Sequence, residues 1–84
     1  MRATHELKVS PVYYGSLVDR TKTAEVRLND RCYQVGDICV LRPYNKSLGF
    51  LSEGIVREIT HILYHQEFEG LAPNYVMLSF GAAP

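Results

Sequence analysis

Three side chains in the stretch DRTKTAEVRLNDR, residues 19–31, are of the types that ligand binding or proton transfer would use: Lys22, Glu25 and Arg27. Glu25 and Arg27 are two residues apart, so on a strand they share a face and reach each other directly or through a ligand. The guanidinium offers a planar fork for a phosphate or a base edge, and the carboxylate accepts from an exocyclic amine. The competing reading is a surface ion pair, worth less than about 1 kcal/mol. Lys22 has the opposite parity and joins the other two only from a turn before the strand becomes regular. Phosphate binding asks least of it, since a lysine base needs burial to lower its pKa. Arg31 either extends this basic rim or belongs, with Asn29 and Asp30, to a turn.

The aromatic residues offer stacking faces. Tyr14 and Tyr33 flank the charged stretch and are the two candidates, although most tyrosines in a small domain fill the core with a wet hydroxyl. His5 and Lys8 are possible cleft neighbours. His61 and His65 would sit ~13 Å apart on a strand, which rules out a shared ion. Cys32 and Cys39 form no CxxC pair and are expected to be reduced and buried rather than reactive. There is no G-x-S-x-G and no Walker loop.

These residues need elements to position them. HELKV at 5–9 reads as a short strand. Ser10 is a good N-cap and Pro11 suits the first helical position, so a two- or three-turn helix follows, with Tyr13/Leu17 and Tyr14/Val18 as its apolar pairs. Gly15 inside it costs about 1 kcal/mol relative to alanine, and close approach to a neighbouring backbone would explain it. From Thr23 the period changes to two: Ala24, Val26 and Leu28 point one way, Thr23, Glu25, Arg27 and Asn29 the other. Strands are expected at 37–44, ending near Pro43, and at 75–80. The run 50–65 is too β-branched for a comfortable helix, and Ile59 and Ile62 lie three apart, which predicts a bulge there or a break near Gly54. Five or six short strands and one early helix suggest a small closed or half-open β-barrel plugged by the helix.

At 84 residues, 46% hydrophobic and 21% charged, the chain reads as one globular domain, 1–84, with a thin core. Nine basic residues balance nine acidic ones, which argues against nonspecific coating of nucleic acid but leaves room for a local basic patch. MRATHELKV contains no apolar targeting region, and no run is long enough to span a bilayer. The expectation is a soluble, cytoplasmic monomer without cofactor or metal.

The stretch at 20–27, Arg20-Thr21-Lys22-Thr23-Ala24-Glu25-Val26-Arg27, resembles the G-x-K-x-x-E-x-R signature of ASCH (activating signal cointegrator homology) domains, a branch of the PUA-like superfamily. Lys22, Glu25 and Arg27 match, and Arg20 stands at the glycine position. HELK at 5–8 with Pro11 and an aromatic pair, LNDRCYQVGD at 28–37 and the final YVMLSF extend the resemblance across residues 5–80, towards a bacterial and phage ASCH-like group. It implies a mainly β (α+β) fold: a small PUA-like barrel of five or six strands and one or two short helices, with a cleft beside the helix. The implied function is binding of RNA or a nucleotide-like ligand through Lys22, Glu25, Arg27 and Arg31, with Tyr14 and Tyr33. Some relatives look like amidohydrolases acting on acetylated cytidine, and others are proposed ribonucleases. In such an enzyme Lys22 would be base or electrostatic stabiliser and Glu25 proton carrier. That hydrolase branch carries Thr at the position of Glu25, so its catalytic set does not transfer intact. A protein-interaction module is the third reading.

Overall fold

Alternation of apolar and polar residues builds most of the strands in the computed structural model, which describes residues 2–84. In β1 (Thr4–Val9) His5, Leu7 and Val9 face inward, and in β6 (Tyr75–Ala82) Val76, Leu78 and Phe80 do the same. Between β1 and β2 (Ala24–Leu28) lies a helix, α1 (Pro11–Val18), with the Ser10 side chain accepting from the Val12 N–H. β3 (Ile38–Asn45), β4 (Gly49–Phe50) and β5 (Ile55–Tyr64) complete the elements. Among the described residues the fold is therefore mainly β with one short helix, and the six strands form one sheet.

The sheet runs β1-β3-β5-β6-β2, with β4 paired to β3. β1 and β3 are parallel and the other pairs antiparallel. β1 and β2 are the two edges, and among the described residues no backbone ladder joins them, so of the closed or half-open barrel expected the closed form is corrected: the sheet does not close. The edges nonetheless come within an arginine's length of each other. Arg27 donates to the Lys8 carbonyl (3.1 Å) and Arg31 to the Glu6 carbonyl (2.7 Å), so side chains occupy positions that a closing strand would fill.

Both features expected in the 50–65 run are present. The register shifts between Ile59 and His61, and the extra residue turns both Ile59 and Ile62 into the core despite their odd spacing. Gly54, at φ 91°, interrupts the chain between β4 and β5. Pro43 does not end β3, which continues to Asn45; the β5 ladder has already finished at Leu41, and the Pro43 carbonyl accepts from the Leu51 N–H instead (3.0 Å).

The core gathers Leu7, Leu17, Tyr33, Leu41, Ile59 and Leu78 among others. Of the helix only Leu17 is buried, with Tyr14 packed against the cluster; Tyr13 and Val18 stay about half exposed (54% and 46%). Gly15 has open space where a side chain would stand, so close backbone approach is not its reason. Gly15→Ala is accordingly expected to raise stability by about 1 kcal/mol, read as a higher urea midpoint.

Candidate functional site

The charged stretch begins where α1 ends. Asp19 caps the helix, and its carboxylate accepts from the N–H and hydroxyl of Thr21 (2.9 and 2.7 Å), bonds that hold its pKa below the ordinary value. Arg20 takes a left-handed backbone, φ 69°. Lys22 lies in the turn before β2, as its parity requires, with its N–H bonded to the Ser16 carbonyl. Its ammonium donates to the Ala24 carbonyl (2.8 Å) and stands 3.5 Å from a Glu25 carboxylate oxygen, with the Tyr13 ring 5.5 Å away.

β2 faces the reverse of what its alternation ordinarily indicates. Val26 and Leu28 are exposed (53% and 46%), while the Glu25 side chain is only 16% exposed. The register with β6 places Glu25 opposite Leu78 and Arg27 opposite Val76, both core residues, and Val26 and Leu28 opposite Met77 and Tyr75. The charged side of the strand thus looks inward, and the apolar side forms an outer patch.

Lys22 and Glu25 come together, but the signature does not converge on one pocket. A cavity of about 160 Å³ between the helix end, the Lys22 turn and β6 is lined by Arg20, Lys22 and Arg57, with Leu17 and Phe80 as apolar wall. A shallower depression of about 290 Å³ holds Arg27, Asp30 and Arg31, with Tyr75 and Leu28 beside them. Glu25 lines neither of these depressions. Arg20 was not singled out as a site residue; in the sequence it was only the departure from glycine in the signature that the stretch resembles. Arg57 was not singled out, because nothing local in β5 announces that it reaches the helix end, where it donates to the Leu17 and Val18 carbonyls (3.2 and 3.4 Å).

Several other expectations change. Tyr33 is 2% exposed and packs edge-on against the His5 ring, centroids 4.8 Å apart, so it has no face to offer a base. Burial pushes its phenol up; Arg27 and Arg31 oppose this and Asp30 adds to it. Tyr14 packs against the core, its hydroxyl 3.5 Å from Ser52 Oγ. The accessible rings beside the two depressions are Tyr13 and Tyr75 instead. His5 is buried and bonded to Asp37, and the Lys8 ammonium covers the Tyr44 ring at 4.2 Å. Asn29 and Asp30 serve the turn, Asn29 Oδ1 accepting from the Tyr33 N–H, while Arg31 stands 3.9 Å from Asp30. Cys39 is buried with its thiol pushed up to about 11, chiefly by that burial, whereas Cys32 is exposed, against expectation; both are free. Among the described residues no group of three or more His, Cys, Asp or Glu is placed to hold a metal, and no helix is long and apolar enough to cross a membrane.

Fold and site together define a small, open-sheeted β domain whose edge strand turns its charges inward between two basic depressions. The chain belongs to the family described as a domain of unknown function (DUF3850), whose model matches residues 4–80. No curated protein matches it.

Proposed function

We propose that this domain is an ASCH-like, PUA-related module that binds RNA or a nucleotide-like ligand across β2, acting as a cytoplasmic monomer. Segregation of charge carries the reading. The chain is neutral, yet five of its nine basic residues line the two depressions at the ends of β2, against a single carboxylate, Asp30. Guanidinium and ammonium groups gathered this way suit the phosphates of a short single strand. Tyr13 and Tyr75 lie alongside as stacking faces. Arg27 and Arg31 each use one N–H on β1 and keep others for a ligand.

The test is a titration of labelled protein with a short single-stranded RNA and with acetylated cytidine. The expected result is backbone amide shifts clustered at Lys22, Glu25, Arg27 and Arg31 with the ligand unchanged. Five cations limit the salt dependence: at about −0.7 per neutralised phosphate, the slope of log K against log salt is no steeper than about −3.5. Product signals from acetylated cytidine, lost in Lys22→Ala and Glu25→Gln, would replace binding by hydrolysis at the Lys22–Glu25 pair. Silence with both ligands at low salt would overturn the reading in favour of a protein partner.

A further inference from the structure

We propose that the cavity lined by Arg20, Lys22 and Arg57 is a subsite for one phosphoryl group, entered by the terminal phosphate of the nucleotide ligand. The proposal rests on the nucleotide-binding reading above and narrows it to a phosphate monoester. Three observations carry it: an arginine in a backbone that favours glycine, donors left over after the internal bonds are made, and size.

Arg20 follows the helix cap in the left-handed region, the position that glycine takes freely and other residues take under strain. Such strain persists where a side chain is wanted at that spot. Among the described residues the Arg20 guanidinium has no hydrogen bond or ion pair, and it lines the cavity. Its neighbour Asp19 is committed to Thr21.

The C-terminal end of a helix repels anions. Arg57 removes that obstacle by donating to the Leu17 and Val18 carbonyls, with a third bond to the Val56 carbonyl. Two of its five N–H donors remain. Lys22, bonded to the Ala24 carbonyl and facing Glu25, keeps one. With Glu25 counted against the three cations, the site carries about two positive charges, which match a monoester dianion better than the single charge of a diester.

The cavity's volume of about 160 Å³ lies below the roughly 300–1,000 Å³ of pockets that enclose whole small molecules. A phosphoryl group enters and a nucleoside stays outside, where β2 and Tyr13 would meet it.

Three versions of one hexanucleotide make the test: hydroxyl-ended, 5′-phosphorylated and 3′-phosphorylated. One phosphorylated form is expected to bind at least tenfold tighter than the hydroxyl-ended strand, and which one identifies the end that is read. In Arg20→Gly that preference disappears while the melting temperature rises by about 5 °C, because the strain is relieved. Loss of affinity in a more stable protein excludes unfolding as its cause. Equal affinity for all three strands, with shifts on β2, would overturn the subsite and leave the nucleotide reading standing. Should RNA leave β2 unmoved, inorganic phosphate decides: a response of the Arg20 and Arg57 side-chain signals supports the subsite, and none defeats it. A lower melting temperature in Arg20→Gly would show that Arg20 serves the fold, and would also overturn the proposal.

Discussion

Asp37→Ala is expected to lower the unfolding free energy by about 3 kcal/mol or more, because three donors lose their one acceptor, at about 1–3 kcal/mol for each buried group left unmet. The Asp37 side chain accepts three hydrogen bonds: from His5 Nε2 (2.8 Å), from the Gln34 N–H (3.0 Å) and from the Ala3 N–H (3.0 Å). With 3% of its surface exposed, Asp37 depends on these three bonds for most of its solvation. The bonds reach in two directions. His5 and Ala3 belong to β1 and the residue before it, and Gln34 to the turn that leads into β3, so one carboxylate fixes how the chain's start meets β3. Removing it strands donors at every one of these points. A domain of this size has a total stability of only about 5–15 kcal/mol, so the loss is large enough to read from a urea or guanidinium melt. Asp37→Asn keeps the volume and one oxygen and is expected to lose less. A loss below about 1 kcal/mol in Asp37→Ala would mean that the pair behaves as a surface one.

The same residue gives the fold a pH dependence. Burial pushes the Asp37 carboxyl up; the bond from His5, then those from the Ala3 and Gln34 N–H groups and the charge of His5, outweigh it and leave the pKa below its ordinary 3.8. A carboxyl with a lower pKa folded than unfolded stabilises fully above the unfolded value. That stability is lost as the pH falls through the folded one. The acid limb of the stability curve, below about pH 4, is therefore expected to be shallower in Asp37→Ala than in the parent.

Local signals made much of this legible in advance. Ser10 and Pro11 start a helix through their own backbone chemistry, and the odd spacing of Ile59 and Ile62 already contains the bulge. Alternation in β2 also gave the right parity for Glu25 and Arg27. It did not reveal which parity faces the core, because that depends on the register with β6, some fifty residues along the chain. Closed and half-open barrels stayed alternatives for a similar reason: strand count suits both, and whether β1 and β2 form a ladder or meet through arginine side chains is settled by tertiary geometry. Composition likewise could not distinguish buried Tyr33 from accessible Tyr75. The polar residues of 19–31 divide between several tasks: Asp19 and the neutral Asn29 shape turns, Arg27 and Arg31 bond to the opposite sheet edge, and Arg20 and Lys22 line a cavity.

Gly54→Ala is expected to cost about 3 kcal/mol or more, for two separable reasons. At φ 91° an alanine is strained whatever surrounds it, by about 1–3 kcal/mol. A Cβ there would also run into the Leu41 carbonyl, with the Arg42 side chain 2.8 Å away. Leu41 cannot retreat: it pairs with Leu7 of β1 on one side and Ile55 of β5 on the other, and it is fully buried. Moving it would disturb two ladders, so overpacking adds about 1–3 kcal/mol. Nor does the turn have slack, since Ser52 Oγ accepts from the Gly54 N–H and the Ser52 carbonyl from Arg42. Gly36→Ala separates the two causes, because Gly36 has a similar φ of 95° but open space around it. Its denaturant midpoint should fall by the strain alone, and that of Gly54→Ala should fall roughly twice as far. Equal losses would mean that β5 leaves its turn with room to spare, and the close seating of Gly54 on β3 would then not be what sets the break between β4 and β5.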